Sequence, residues 1–305
     1  MIGFLGAGRV GAQAALEVAS AGIDDVALVD IAPGLAEGEA MDISQKIAET
    51  GVDVEVRGST DFSTLRGSTV VVITAGLARK PGMTRMDLLE KNAGIVASVA
   101  KEVAKHAPDS IALTVTNPMD VMNYVVMRKT GFPKGRVVGM GGVLDLSRFK
   151  STISEMLDVS HSSITSLVIG EHGESMLPLA RYTSIGGVPL TKLMDETQIA
   201  QAMEATRRIA IDVISKKGAT VDAPANAVVR MVKAMAWDRK EVVPASAYLE
   251  GEYGAKGICI GVPLVLGAGG VEKILPLDLN DEERKQFMKG AQTIREGIAA
   301  ISSIL

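Results

Sequence analysis

Gly6-Ala7-Gly8-Arg9-Val10-Gly11 is a G-x-G-x-x-G segment between an apolar run, Ile2–Leu5, and a helical pattern, Val10–Ala21. Spacing alone decides little in a chain with 32 glycines. The context decides, because a strand before and a helix after are what a dinucleotide-binding turn needs. Gly6 permits the tight turn, Gly8 lets backbone approach a pyrophosphate, and Gly11 lets helix pack on strand. The helix N-terminus adds N–H donors and the positive end of its dipole. Gly6, Ala7, Gly8, Arg9, Val10 and Gly11 are therefore candidate cofactor contacts. Asp30 ends the next apolar run, nineteen residues past Gly11. The fingerprint expects an acid there, on the ribose hydroxyl. Its charge would repel a 2′-phosphate, and no arginine follows in Ile31-Ala32-Pro33-Gly34. The expected cofactor is NAD rather than NADP.

Working outward, apolar runs recur at Ile2–Leu5, Val26–Val29, Val52–Val56, Val70–Thr74, Ile111–Val115 and Val137–Met140. Helical patterns lie between them at Val10–Ala21, Ala36–Glu49, Asp87–His106 and Met119–Lys129. This cadence predicts a parallel sheet with crossover helices. Strands covered on both faces read as continuously apolar, as Val70-Val71-Val72-Ile73 does. Gly22, Ala107-Pro108 and Gly131 with Pro133 punctuate helix ends. Beyond Gly141-Gly142 the strict alternation stops. Helices are expected at Leu144–Leu157, Asp195–Lys216, Ala223–Trp237 and Asp281–Ile304. A strand is expected at Ile164–Ile169, a tight turn at Gly186-Gly187, and a hairpin from Val243–Leu249 and Ile258–Leu266 around Glu252-Tyr253-Gly254. The expected fold is α/β: a Rossmann parallel-sheet domain over 1–142, then a mixed α+β domain over 143–305.

At 305 residues the chain has room for about two domains of the usual ~150 residues. With 47% hydrophobic residues it has ample side chain for a core, which excludes disorder over most of its length. The net charge of −4 offers no basic face for nucleic acid or for an anionic membrane surface. The longest uncharged run, Gly257–Val271, is 15 residues broken by Pro263 and glycines, where a bilayer span takes about 20. With a first strand from Ile2, no secretory signal is expected, and Ile2 leaves no glycine to myristoylate. The single cysteine, Cys259, excludes an internal disulfide and cysteine-paired zinc. A cytoplasmic protein without bound metal is the expectation.

Four further motifs stand in order: Ala78-Arg79-Lys80-Pro81-Gly82-Met83-Thr84-Arg85, Thr116-Asn117-Pro118-Met119-Asp120, Leu144-Asp145-Leu146-Ser147-Arg148-Phe149 and Gly170-Glu171-His172-Gly173-Glu174-Ser175. With the glycine loop they resemble the lactate/malate dehydrogenase family over essentially the whole chain. Within it, the resemblance is to malate dehydrogenases of the lactate-dehydrogenase-like type. It implies NAD, a small 2-oxo or 2-hydroxy acid as substrate, reversible hydride transfer, and a homodimer or homotetramer.

Ketone reduction builds charge on oxygen and calls for a proton donor, for which histidine is suited near neutrality. There are three. His106 ends a helix and His161 sits in a polar turn, both ordinary structural places. His172, among glycines after a strand, matches the family's catalytic histidine; an exposed loop histidine is the plain alternative. Asp145, by position a helix N-cap or the imidazole's partner, matches the family's aspartate. Arg148 shares a helix face with it and matches the arginine that grips the substrate's C1 carboxylate; an intrahelical ion pair is the alternative. Arg85 matches the residue that polarises the carbonyl, and Arg79 the one that selects substrate, on a loop expected to close and exclude water.

An arginine at position 79 would pair with the distal carboxylate of oxaloacetate or malate. With pyruvate bound it would be enclosed unpaired, at a cost of about 3–5 kcal/mol. Unpaired groups of this kind reject substrates by about 10⁴-fold. Asn117 matches a contact to substrate and nicotinamide, with the backbone of Val115 and Thr116 beside it; a turn-forming Asn-Pro is the alternative. Asn92 matches a cofactor contact, against a helical surface asparagine. Val221-Asp222 departs from relatives, which often carry aromatics there, so the pocket wall near Thr220 is open. Three rivals are another 2-hydroxy acid dehydrogenase, an NAD-dependent glycosidase needing a Cys-His metal site, and a non-catalytic NAD-binding protein.

Overall fold

A computed structural model describes residues 1–77 and 84–305, without the Arg85 side chain. The first half runs β1 (Ile2–Leu5), α1 (Arg9–Ser20), β2 (Val26–Val29), α2 (Leu35–Thr50), β3 (Val56–Ser59), β4 (Val70–Ile73), α3 (Arg85–His106), β5 (Ile111–Thr114), α4 (Met119–Thr130) and β6 (Val137–Gly139). Then come α5 (Gly141–Leu157), β7 (Ile164–Thr165), β8 (Val168–Ile169), β9 (Leu177–Pro178), β10 (Ser184–Ile185), β11 (Val188–Pro189), α6 (Leu190–Leu193), α7 (Glu196–Lys217), α8 (Asp222–Ala236), β12 (Glu241–Glu250), β13 (Lys256–Gly267), β14 (Gly270–Ile274) and α9 (Asp281–Ala300).

The strands β6-β5-β4-β1-β2-β3 are parallel, with the order reversing between β1 and β4. That reversal is the topological switch point, where ligands bind outside the carboxyl ends of the strands. Strands β1, β2, β4 and β5 are buried at every residue, which is why their sequences are continuously apolar.

The third strand differs from expectation. It is β3, Val56–Ser59, not Val52–Val56. Gly51 caps α2 at φ +70, and the Val52 N–H returns to the Ile47 carbonyl at 3.2 Å, so these residues finish the helix. As an edge strand β3 has no need of an unbroken apolar run, and Val-Arg-Gly-Ser suffices. The expected strand Ile164–Ile169 is likewise two short strands, β7 pairing with β10 and β8 with β9. Helix α5 begins at Gly141 rather than Leu144, so Asp145 is an interior helical residue and not an N-cap.

The second half joins the sheet of the first. Ser246 of β12 pairs antiparallel with Gly139 of β6, and the hairpin β12–β13 with β14 extends one sheet to nine strands among the described residues. Gly170 is bridged to Gly261 of β13, with Gly170 N–H to Gly261 O at 2.8 Å. The loop after β8 is therefore fastened to the hairpin. Among the described residues, no helix is long and apolar enough to cross a membrane.

Candidate active site

A cleft of about 2040 Å³ is lined by Gly8, Arg9, Val10 and Gly11 of the glycine loop, by Val115, Thr116 and Asn117 after β5, and by Arg148 and His172. Helices α7 and α9 contribute Arg207, Ile211, Gln286 and Lys289, and Thr220 also faces it.

The glycine loop is shaped by what cannot fit. A Cβ on Gly11 would stand 2.0 Å from the Gly6 carbonyl oxygen, and Gly6 itself has φ +104. Thr74 clamps the turn, its hydroxyl donating to the Leu5 and Gly6 carbonyls at 3.1 and 2.9 Å. Over Gly8, by contrast, nothing among the described residues lies within 4 Å of a built Cβ. As N-cap of α1, Gly8 offers no side chain to the first-turn amides. Open space above unpartnered helix amides is what a pyrophosphate requires. Asp30 accepts from the Ala7 amide at 2.8 Å and from Ala32 at 2.9 Å, which fixes its carboxylate beside the loop. A carboxylate has about four acceptor sites, so capacity for ribose hydroxyls is left.

The opposite end is built from buried charge. The His172 Nδ1 lies 2.7 Å from Asp145 Oδ2, and Asp145 Oδ1 accepts from Arg148 Nη1 at 3.1 Å. The side chains of Asp145 and Arg148 are 2% and 9% exposed. A carboxylate accepts only, so Nδ1 carries the hydrogen and Nε2 is left for a ligand. Burial lowers the His172 pKa, but the charge and hydrogen bond of Asp145 outweigh it, and the net direction is upward from 6.5. The His172 amide donates to Asp120 Oδ2 at 2.7 Å. Gly141 makes room for the ring, since a Cβ there would meet His172 Cβ at 2.7 Å.

Several expectations are redirected. Asn92 is 1% exposed, and its amide is occupied by backbone: it accepts from Leu77 N–H and donates to the carbonyls of Leu77 and Asn117. It ties the segment after β4 to the one after β5, and so shapes the cleft rather than lining it. Gly6, Ala7, Asp30 and Asp145 are not among the lining residues. Arg79 lies outside the described residues, as does the Arg85 side chain. His106 faces Glu102 at 3.3 Å on its own helix, and exposed His161 lies in a short turn; neither lines the cleft. Cys259 is buried in β13, and burial pushes its thiol well up. Asp120 escaped sequence reasoning: an acid in the first turn of α4 reads as a dipole partner, and only its burial against His172 marks it.

Residues 1–139 match the family described as lactate/malate dehydrogenase, NAD binding domain, and residues 142–304 its alpha/beta C-terminal domain. The chain belongs to the lactate/malate dehydrogenase family. Among relatives of this family, the malate dehydrogenase of Halalkalibacterium halodurans is 44% identical, over 98% of this chain and 97% of that one. The structure of malate dehydrogenase from Archaeoglobus fulgidus in complex with NADH is 40% identical, with TM-score 0.89 over 99% of each chain. The lactate dehydrogenase from Cryptosporidium parvum, complexed with lactic acid and nicotinamide adenine dinucleotide, is 37% identical, with TM-score 0.95 over 99% of this chain and 98% of that one. Members with either substrate thus share this backbone, and the family's fold does not choose between them.

Proposed function

We propose that the chain is an NAD-dependent malate dehydrogenase, interconverting malate and oxaloacetate, with His172 as the acid–base residue. The observation that carries this reading is the Asp145–His172 pair at 2.7 Å, with His172 lining the same cleft as the glycine loop. NAD, when bound, supplies the hydride acceptor or donor. The residues fit it: Gly8 and the α1 amides take the pyrophosphate, and Asp30 the ribose. Asn117 holds substrate and nicotinamide, beside the backbone of Val115 and Thr116, while Asn92 acts on them through its bond to the Asn117 carbonyl.

His172 gives its Nε2 proton to the oxygen as oxaloacetate is reduced, and takes it back in malate oxidation. Asp145 holds the ring and stabilises imidazolium. Arg148, anchored through Nη1 to Asp145, presents the rest of its guanidinium to the C1 carboxylate. Arg85 polarises the carbonyl, and Arg79 pairs with the distal carboxylate, which selects malate over lactate. The domains are taken as 1–142 and 143–305, and the same reading carries cytoplasmic location and homodimeric or homotetrameric assembly.

The test is NADH oxidation with oxaloacetate and pyruvate in parallel, for the parent and for Arg79→Gln. A strong oxaloacetate preference, lost in the variant, is expected. Equal or better pyruvate turnover by the parent defeats the substrate assignment. NADH binding without turnover of either defeats the chemistry.

A further inference from the structure

His172 is held at two points, and only one of them is the ring. Asp120, in the first turn of α4, accepts the His172 main-chain N–H through Oδ2 at 2.7 Å. It is 3% exposed. Its other oxygen, Oδ1, and the hydroxyl of Ser246 on β12 are both buried and lack a well-formed hydrogen bond. A buried carboxylate oxygen and a buried hydroxyl left so are costly, unless a proton sits between them.

We propose that Asp120 is a positioning residue for proton transfer, holding the His172 main chain and, with Ser246, tuning the pH at which the imidazole works. This rests on His172 being the acid–base residue. In the ionised state, the Ser246 hydroxyl donates to Asp120 Oδ1 while Oδ2 keeps the His172 amide; in the protonated state Oδ1–H donates to Ser246 instead, so both orphan atoms are satisfied in either state, by the stronger bond when the carboxylate is charged. In the ionised state its charge favours imidazolium. Burial pushes the Asp120 carboxyl up to about 7, against the opposing pull of Ser246 and the His172 amide. Both states are therefore accessible in the range where His172 titrates.

The groups facing Asp120 are few. From the loop after β8 come His172 and Glu171, the latter of like charge. From β12 comes Ser246, and from β13 the protonated thiol of Cys259. On α5, Asp145 and Arg148 act through the imidazole.

The sign follows from linkage. Reduction of oxaloacetate needs protonated His172 and falls as pH rises through its pKa. Asp120→Asn keeps an oxygen for the His172 amide but removes the charge, so the descending limb moves to lower pH. Asp120→Leu removes the clamp as well, and kcat is expected to fall about ten- to a hundredfold. A raised folded-state pKa means that Asp120 contributes most to stability below 3.8, its ordinary value, and that this is lost as pH rises through about 7. Asp120→Asn is spared that loss, so its Tm at pH 8 is expected to equal or exceed the parent's. A merely structural role predicts the reverse: lower Tm and an unmoved pH limb.

The experiment measures pH profiles of kcat for Asp120→Asn, Asp120→Leu and Ser246→Ala, with Tm at pH 8. The imidazole titration of His172 is followed by NMR without substrate. Ser246→Ala favours protonated Asp120, so its limb shifts the same way by less, and combining it with Asp120→Asn adds nothing further. An unmoved limb and an unmoved His172 titration in Asp120→Asn would overturn the proposal. If the Asp120 variants do not fold, an unmoved titration in Ser246→Ala does so. If the parent reduces no oxaloacetate, the function fails separately, because the NMR titration still reads the coupling.

Discussion

The two ends of the cleft are made of different material. The glycine loop works through backbone: positive φ at Gly6, a missing Cβ at Gly11, and α1 amides that no capping side chain takes. Its one charged helper, Asp30, reaches back 23 residues to the Ala7 amide. The His172 end works through side chains drawn from distant elements. Asp145 is 27 residues away on α5, and Asp120 is 52 residues away on α4. Backbone sites tolerate solvent, since amides and a helix end need little enclosure to attract an anion. A tuned imidazole needs burial, because only there do neighbouring carboxylates act at full strength.

The sharpest break in that comparison is His172→Asn. It should cost about 10²–10⁴-fold in kcat and leave NADH affinity, read by fluorescence titration, near the parent's. A matching loss of NADH binding would mean the two ends are not separable. Asp145→Asn should come next, with a kcat loss of comparable order, since the amide can present the wrong group to Nδ1. It also removes what lifts His172. Oxaloacetate reduction should then decline at lower pH and malate oxidation begin at lower pH, measured as paired pH profiles. The same linkage makes the His172 contribution to stability fullest below 6.5 and lost as pH rises through the raised value.

At the backbone end the effects are smaller and of the opposite kind. Gly11→Ala must displace the Gly6 carbonyl, at a cost of about 1–3 kcal/mol. NADH binding should weaken accordingly, while the pH limb of kcat at saturating NADH stays in place. Smallest is Asp30→Ser, which should narrow the NAD over NADP preference in parallel KM measurements and leave kcat nearly unchanged. A shifted pH limb in either variant would erase the distinction.

What was legible follows the same division. The glycine loop, Asp30, five of the six parallel strands to within one residue, and the helix stops at Gly22 and Gly131 could be read off because each rests on contiguous residues. Strand β3 could not, since an edge strand carries little apolar signal and Gly51 had already drawn Val52 into the helix end. Asn92 matched a motif, yet its work is to pin two chain segments from beneath. Only packing reveals a buried amide with every group on backbone.

The sequence by itself determined the cofactor turn and the alternating first half, and its motifs singled out His172 as the candidate acid–base residue. These depend on local φ, ψ and on residue type, which a linear reading contains. Tertiary structure alone decided three things. It fused the two halves into one sheet through Ser246 and Gly139. It placed Asp145 inside a helix rather than at its cap. And it brought Asp120, Asp145 and His172 together at one largely buried corner of the cleft. The reason is that desolvation and Coulomb energy depend on distances between residues far apart in the chain, and no local pattern encodes those distances.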